Sequence, residues 1–371
     1  MKITCSQSDL LKGLSMVGNA VPVRTTMSIL ECVLVDASTN EIHLTANNME
    51  LGIETVIPGK IIERGKIALD NKIFSGIVRS LPNETVTITT DDRGETYIDC
   101  ENGKHPISYT ISGKSGEDFP YLPVIPRRTP ITISQFTLHE VIMQTIFSIA
   151  NDESNHMMSG ELFDLDGDRL RIVSLDGHRI SIRHVRLKES YNKQSVIVPG
   201  KTMTNIAKIV NGSVDDMVTI YIAENHIIFE FDQTMVISRL IDGEYFAIDK
   251  MLSDDYESKI TINRRELAES IRRATPMISE IDKKPVVLDI HDQVFHMSIT
   301  SSKGNYEEEL NMVKEGRDIK IAFNPKFISD VLRVIEDENV VMYLLTPKSP
   351  CFIRDEAGNY IYLILPVNFN G

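Results

Sequence analysis

The sequence lacks the usual marks of a membrane, secreted or disulfide-bonded protein. No apolar run approaches the roughly 18 residues that a membrane-spanning helix needs. Patterned sequence follows directly after Met1, so no signal peptide is expected. The four cysteines lie far apart in the chain, which predicts reduced, mostly buried thiols rather than a zinc or redox pair. These absences favour a cytoplasmic protein without a membrane partner.

Catalytic and metal-binding motifs are missing as well. The chain has no phosphate-cradling GxxxxGK[ST] loop and no HExxH motif. Residues 164–168 resemble the start of a calcium loop, but Arg169 and Leu175 stand where that loop needs Gly and Glu, so a hairpin turn is favoured. Residues 176–179 (Asp-Gly-His-Arg) lack a companion nucleophile elbow and are interpreted as another turn. The sequence therefore predicts no enzyme, no metal and no cofactor.

Positive charge is scarce in this chain. Its 371 residues include 53 acidic and 39 basic side chains, for a net charge of −14. This balance speaks against a module that grips nucleic acid from one side, because such proteins usually carry a basic footprint. It still allows a protein whose cations are concentrated on a single surface. An enzyme with an unrecognised active site is the other alternative, and the missing motifs disfavour it.

The chain contains an internal repeat with a period of about 130 residues. Each repeat has a lysine, an amphipathic run, a polar loop and a β-rich run in the same order. The lysines are Lys72, Lys201 and Lys326. A second landmark, a leucine that opens an earlier helical pattern, recurs with nearly the same period as Leu10, Leu138 and Leu267. The two landmarks together predict three homologous domains.

Linker composition places the domain boundaries. Residues 119–126 are too rich in proline for a helix or a central strand, and residues 253–257 form an acidic stretch. We therefore predict domains at residues 1–126, 127–254 and 255–371. Short alternating runs between the helical patterns are typical of strands. The predicted fold class is α+β, with three tandem domains that each pack two helices on antiparallel sheets.

The second helix of each repeat carries two basic residues seven positions apart, which places them on one helical face. The pairs are Lys72 and Arg79, Lys201 and Lys208, and Lys326 and Arg333. Apolar residues such as Ile73, Phe74 and Ile77 are expected on the opposite face. Exposed helical positions are often charged, but in an acidic chain they would more often be Asp or Glu. The pattern favours sequence-independent contact with DNA phosphates. Further candidates for this surface are Lys12, Arg24, Arg272 and Arg273.

The triplication, the basic helices and the acidic body together resemble the β subunit of the bacterial replicative DNA polymerase, the sliding clamp family. The resemblance covers the whole chain. Its local marks are residues 79–82 (Arg-Ser-Leu-Pro), 118–123 (Asp-Phe-Pro-Tyr-Leu-Pro), 176–179, 195–199 (Ser-Val-Ile-Val-Pro) and 362–366 (Tyr-Leu-Ile-Leu-Pro).

This resemblance implies a polymerase processivity factor that acts as a homodimer. Two subunits would close head to tail into a ring that encircles double-stranded DNA and slides along it. A hydrophobic pocket between the second and third domains would bind short peptide motifs of the replicative polymerase, the clamp loader and repair polymerases. The implied pocket residues are Met158, Leu175, Gly177, His178, Arg179, Ile180, Phe246, Lys250, Met251, Leu363, Leu365, Pro366 and Val367. Two departures are Leu175, where the family often has a small polar residue, and residues 245–248 (Tyr-Phe-Ala-Ile) in place of Phe-Pro-Asp-Tyr.

The ring is expected to close by strand addition between the first domain of one subunit and the third domain of the other. Lys104 and His105 flank Ile107 on the first-domain side. The expected counterparts are Met277, Ile278, Glu307, Glu308 and Glu309.

Overall fold

A computed structural model describes residues 1–101, 105–150, 155–278 and 284–369 of the chain. Lys104, predicted at the subunit interface, lies outside the described residues. Within them the structure has six α-helices: α1 (Gln7–Val17), α2 (Asn71–Ser80), α3 (Gln135–Thr145), α4 (Gly200–Ile209), α5 (Arg264–Ala274) and α6 (Pro325–Val334). None of these helices is long and apolar enough to cross a membrane.

The described residues also form 24 strands. The first ten are β1 (Lys2–Ser6), β2 (Cys32–Asp36), β3 (Ile42–Asn47), β4 (Leu51–Ile57), β5 (Lys60–Glu63), β6 (Lys66–Asp70), β7 (Thr85–Thr90), β8 (Glu95–Cys100), β9 (Ile107–Ser112) and β10 (Lys114–Ser115). The next six are β11 (Ile131–Ser134), β12 (Gly160–Leu175), β13 (Arg179–Pro199), β14 (Met217–Ile222), β15 (His226–Phe231) and β16 (Thr234–Arg239). The last eight are β17 (Ser258–Asn263), β18 (Val286–His291), β19 (Val294–Ser301), β20 (Gly304–Gly316), β21 (Ile319–Phe323), β22 (Asn339–Leu344), β23 (Cys351–Arg354) and β24 (Tyr360–Ile364).

The chain divides into two compact units, of which the first comprises residues 1–138 and 205–240. Unit 1 contains a five-stranded sheet of order β5-β1-β7-β8-β9 and a nine-stranded sheet of order β10-β6-β2-β3-β4-β16-β15-β14-β11. In the larger sheet β4 pairs antiparallel with β16, with Thr55 opposite Thr234. One continuous sheet therefore joins strands of the first and second repeats, which covers edges that each repeat would otherwise expose.

Unit 2 comprises residues 139–204 and 241–371. Its ten strands follow the order β12-β13-β24-β23-β22-β17-β20-β19-β18-β21. Strand β13 of the second repeat pairs with β24 of the third, with Ile180 opposite Leu363. Strand β20 pairs with β17 through Met312–Gly316 and with β19 through Gly304–Asn311. The long β20 strand thus serves two partners in succession.

In the second helix of each repeat, the sequence accounts for the residue at which the helix begins and for the face that it buries. Helix α2 is capped by the Asp70 carboxylate, which accepts a hydrogen bond from the Ile73 amide, and helix α6 is capped by Asn324. Phe74, Ile77 and Val78 are buried. Ile73 was expected on the same apolar face, but it is 52% exposed. At about 100° per residue, Ile73 lies at the margin of the buried stripe, so that prediction was wrong.

The predicted hairpin turn at residues 164–168 was also wrong. Strand β12 runs straight through this segment and pairs with β13, with irregular register on both sides of Gly167. Gly167 has φ of +62°, which suits a β-bulge as well as it suits a turn. The chain reverses instead at residues 176–178, where Gly177 has φ of +84°. The local Asp-Gly signal was real at both places, but only long-range pairing decides which one reverses the chain.

The remaining local predictions agree with the structure. Cys5, Cys32, Cys100 and Cys351 are all buried and free, as their wide spacing predicted. The proline-rich residues 119–126 and the acidic residues 253–257 contain no helix or strand. Both stretches connect regular elements, and the domain boundaries placed there remain a prediction.

Candidate functional site

Five of the residues implied for the peptide pocket lie in one apolar cluster of unit 2: Met158, Leu175, Ile180, Phe246 and Leu363. Ile248, Tyr343 and Phe352 extend this cluster. Three further implied residues, Met251, Leu365 and Val367, lie at the surface with between 36% and 47% of their area exposed. A buried apolar cluster whose segments continue into exposed apolar side chains is typical of a site that buries a partner's side chains.

The tail of the chain is held against this cluster by backbone pairing. Strand β24 lies between β13 and β23, which places Leu363 beside Ile180. After the strand ends, the Leu365 amide donates a hydrogen bond of 2.9 Å to the His178 carbonyl. The Val367 amide donates one of 2.9 Å to the Ala322 carbonyl. These bonds hold Leu365 at the β12–β13 turn and Val367 at strand β21.

Residues 245–251 are anchored by Tyr245 and Ile248, which the sequence analysis noted, and by Arg171, which it missed. Tyr245 donates a hydrogen bond to the Val173 carbonyl, and Ile248 is buried in the apolar cluster. The Arg171 guanidinium bridges Asp164 and Asp249 at 2.7 and 2.5 Å. Its hydrogen bond lowers the pKa of the Asp249 carboxyl. No local motif marks Arg171 as an anchor of this segment, because Asp249 lies 78 residues further along the chain.

The Arg179 side chain is buried and bound to protein groups. Its side chain is only 6% exposed and binds Asp176 at 2.9 Å, Asp330 at 2.7 Å and the Phe147 carbonyl at 2.5 Å. The neighbouring His178 is exposed, and its ring stacks on Phe327 with centroids 6.1 Å apart. Arg179 therefore supports the turn from behind, while His178 remains at the surface.

A carboxyl group is buried behind the pocket on strand β12. Glu161 is fully buried, and the hydroxyls of Thr145 and Ser174 donate hydrogen bonds of 2.7 and 2.8 Å to one of its oxygens. Its other oxygen has no hydrogen-bond partner in the described part of the chain. Burial outweighs the two hydroxyls and raises the pKa of Glu161 to about 7. The charged form of this group is thus disfavoured in the folded protein.

Replacing Glu161→Gln should flatten the pH dependence of stability. Because the folded-state pKa lies above the usual 4.5, the folded protein holds a proton that the unfolded chain releases. The free energy of unfolding should therefore fall between about pH 4.5 and 7 and stay low above that range. Denaturant titrations at pH 5 and 8 measure this fall. The free energy of unfolding should fall by roughly 2–3 kcal/mol less in the variant than in the parent protein. An equal fall in both proteins would contradict this prediction. Ser174→Ala removes a hydrogen bond that lowers the pKa of Glu161, so in that variant the fall should extend above pH 7.

The basic residues expected to contact DNA are all exposed on their own elements: Arg24, Lys72, Arg79, Lys201, Lys208, Arg272, Arg273, Lys326 and Arg333. They differ in how far their charge is compensated. Arg272 binds Glu269 at 2.7 Å and Arg273 binds Glu308 at 2.5 Å. Arg333 lies 3.7 Å from Asp330. The other six have no ion pair within the described residues, so their charges are available to a phosphate.

Both sides of the expected subunit interface present unpaired strand edges. Within the described residues β9, which begins at Ile107, pairs only with β8 and ends its sheet, and His105 just before it is exposed. Among the strands that the structure describes, the first part of β20 (Gly304–Asn311) pairs only with β19. Alternation along β20 leaves Glu307 and Glu309 exposed and turns Glu308 toward Ser270 and Arg273. Met277 and Ile278 pack partly buried against the core of the third repeat.

Comparison with known proteins assigns all three repeats to one family. The models of the DNA polymerase III beta subunit match as its N-terminal domain over residues 1–123, its central domain over 132–246 and its C-terminal domain over 249–368. The beta sliding clamp of Staphylococcus epidermidis is 28% identical over 378 residues, which cover 99% of each chain. Two solved structures superpose over the full length of both chains. A putative DNA polymerase III beta subunit from Eubacterium rectale has a TM-score of 0.95 and 56% identity, and the sliding clamp of Bacillus subtilis has 0.94 and 28%.

Three tandem α+β domains of this kind define a class of non-catalytic processivity factors. The chain belongs to the DNA polymerase III beta subunit family, the bacterial sliding clamps. The resemblance noted in the sequence and the predicted three-domain α+β fold are both confirmed. The protein serves DNA replication as a polymerase clamp, and not as an enzyme.

Proposed function

We propose that this clamp acts in the cytoplasm as a head-to-tail homodimeric ring, and that the apolar cluster of unit 2 binds its protein partners. The observation that carries the proposal is the cluster itself. Leu175, Ile180 and Leu363 are buried in this cluster, and we place Met251 and Leu365, which are exposed, at its rim. The domain boundaries at residues 126/127 and 254/255 are part of the same proposal.

The expected occupant is a peptide segment with a Gln followed by spaced Leu and Phe. Burying one such apolar side chain contributes about 1.5–3 kcal/mol, so two anchors are sufficient for micromolar binding after the cost of association. Met158 and Met251 suit a site that must accept several sequences, because thioether side chains repack readily. Calorimetry with a peptide of this pattern tests the pocket directly, and the polymerase, the clamp loader and repair polymerases would compete for it.

Ring closure is supported by the two unpaired strand edges. A head-to-tail interface uses two different surfaces of the same chain and must close by rotation, or it would form filaments. Adding the β9 edge of one subunit to the free part of β20 in the other would satisfy backbone groups on both sides. His105 on one side and Glu307 and Glu309 on the other supply complementary polar groups at the rim.

Contact with DNA should be weak, independent of sequence and sensitive to salt. A sequence-blind contact uses phosphates alone, and each one lost should reduce the slope of log affinity against log salt by about 0.9. The double reversal Lys201→Glu and Lys208→Glu should therefore reduce that slope by about 2 and impair sliding, with the dimer intact.

Arg272→Ala is the matched control for this experiment. Its guanidinium is already bound to Glu269 at 2.7 Å, so its removal should change the slope less than removal of an uncompensated lysine. The measurement is duplex binding at several salt concentrations, together with retention of loaded clamp on circular and linear DNA. A double-reversal variant that binds and slides like the parent protein would show that these helices do not face DNA.

A further inference from the structure

Helix α6 touches both candidate sites of unit 2. Its outer face carries Lys326 and Arg333, both exposed and both candidates for DNA contact. Asp330, which is buried, lies beside these cations at the margin of that face, and Phe327, which is partly buried, lies nearer the packed side of the helix. Asp330 and Phe327 contact the β12–β13 turn at residues 176–179. One short helix therefore connects a cationic surface with the wall of the pocket.

The connection on the inner side is a buried ion pair framed by aromatic rings. The Asp330 carboxylate binds the Arg179 guanidinium at 2.7 Å. The same guanidinium lies 4.5 Å from the centre of the Phe327 ring. The His178 ring also stacks on the Phe327 ring. A buried charge pair of this kind tolerates little change in geometry, because each partner has lost its water. A movement of Asp330 must therefore change the position of the Arg179 side chain.

Arg179 in turn belongs to the turn that holds the rim of the pocket. The Asp176 carboxylate accepts hydrogen bonds from the backbone amides of His178 and Arg179 and from the Arg179 side chain. The His178 carbonyl accepts the bond from the Leu365 amide. Arg179 is thus the link between helix α6 and the backbone on which Leu365 rests.

On the outer side Asp330 is shared with a second cation. Arg333 lies 3.7 Å from the other Asp330 oxygen and is 75% exposed. The carboxylate therefore divides its interaction between a buried arginine and an exposed one. A phosphate that binds Arg333 would draw it away from Asp330, and the carboxylate would then interact with Arg179 alone.

We propose that Asp330 is a positioning residue for the peptide pocket and that it transmits contact of Arg333 with DNA to the turn at residues 176–179. The proposal rests on the proposed DNA and peptide sites. Clamp loaded on DNA should bind partner peptides more tightly than free clamp, and by linkage bound peptide should favour the DNA contact. The change should be about threefold, the scale of an exposed ion pair.

The test uses the full-length dimer and a fluorescein-labelled peptide with a Gln followed by spaced Leu and Phe. Its dissociation constant is measured by anisotropy for free clamp and for clamp loaded on nicked circular duplex, after the loader is removed by gel filtration. Arg333→Ala and Asp330→Asn should each abolish the difference between the two states. Asp330→Asn should also weaken binding to free clamp about tenfold, because Arg179 loses a buried partner.

Lys348→Ala is the matched control, since it removes an exposed cation of unit 2 that is not a candidate for DNA contact and has no ion pair among the described residues. It should keep the threefold difference. Arg333→Ala changes an exposed side chain only, so it carries the test if Asp330→Asn does not fold. Equal affinity of the parent protein with and without DNA would overturn the coupling and leave the pocket standing. Failure of the peptide to bind either state would overturn the pocket and the coupling together.

Discussion

Truncating the chain after Ile364 should reduce the affinity for a partner peptide by at least a hundredfold. The deletion removes Leu365, Pro366 and Val367 from the rim of the pocket. Two lost apolar contacts of about 1.5–3 kcal/mol each are sufficient for this effect. The fold should persist, because β24 ends at Ile364 and keeps its pairing with β13 and β23. Calorimetry with the peptide and pull-down of polymerase and clamp loader measure the loss.

A shorter truncation tests whether the loss of affinity comes from the pocket residues or from any shortening of the tail. Ending the chain after Phe369 leaves Leu365 and Val367 in place, together with their backbone bonds to His178 and Ala322. This variant should bind peptide like the full-length chain. Both variants should remain dimers by sedimentation, since the expected interface lies elsewhere. Unchanged affinity after the longer truncation would show that the last residues only complete their own domain.

The substitution Ile107→Asp should break the dimer, raising its dissociation constant by at least a hundredfold. Ile107 begins the unpaired β9 edge and is partly buried even in the single chain. Replacing it removes an apolar contact of about 1.5–3 kcal/mol and places an unpaired charge in the interface. Losing a polar rim contact such as that of Lys104 should cost less, because exposed ion pairs contribute only about 0–1 kcal/mol.

The opposite edge of the same sheet offers a matched control. Ile62 on β5 is 50% exposed, and β5 pairs only with β1 within the described residues. Ile62→Asp makes the same chemical change on an edge that the proposed ring does not use, so it should leave the dimer intact. Sedimentation at low protein concentration distinguishes the two variants. An Ile107→Asp protein that is still fully dimeric would refute this assignment of the interface.

Much of the fold could be read from the sequence because it rests on local periodicity and repetition. Two landmarks with one period predicted three domains, and the family comparison bears out three. The helical faces were predicted well at their centres, as at Phe74 and Val78, and failed at the margin, as at Ile73. A residue at the edge of a stripe is buried or exposed according to what packs beside it, and the helix alone does not contain that information.

The candidate sites depended more on contacts between distant residues. The Asp-Gly pairs at residues 166–167 and 176–177 are locally alike, yet one forms a bulge and the other reverses the chain. Arg179 was expected to line the pocket, and the structure engages it with Asp330 instead. Arg272 and Arg273 were grouped with the free cations, but Glu269 and Glu308 compensate their charges. For Arg179 and Arg273 a partner far along the chain decided the outcome, whereas Arg272 pairs with Glu269 one helical turn away.

The sequence by itself determined the three repeats, the two helices of each, the exposed cations of α2, α4 and α6, the free buried cysteines and the family. These properties follow from residue type and spacing over one or two turns of helix or a few strand positions. The tertiary structure alone decided that sheets run across the repeats, that β9 and part of β20 each have one edge without a partner strand in the described part of the chain, and that Asp330 lies between Arg179 and Arg333. Each of these features depends on contacts between residues of separate elements. A short stretch of sequence does not determine which distant residues it will contact.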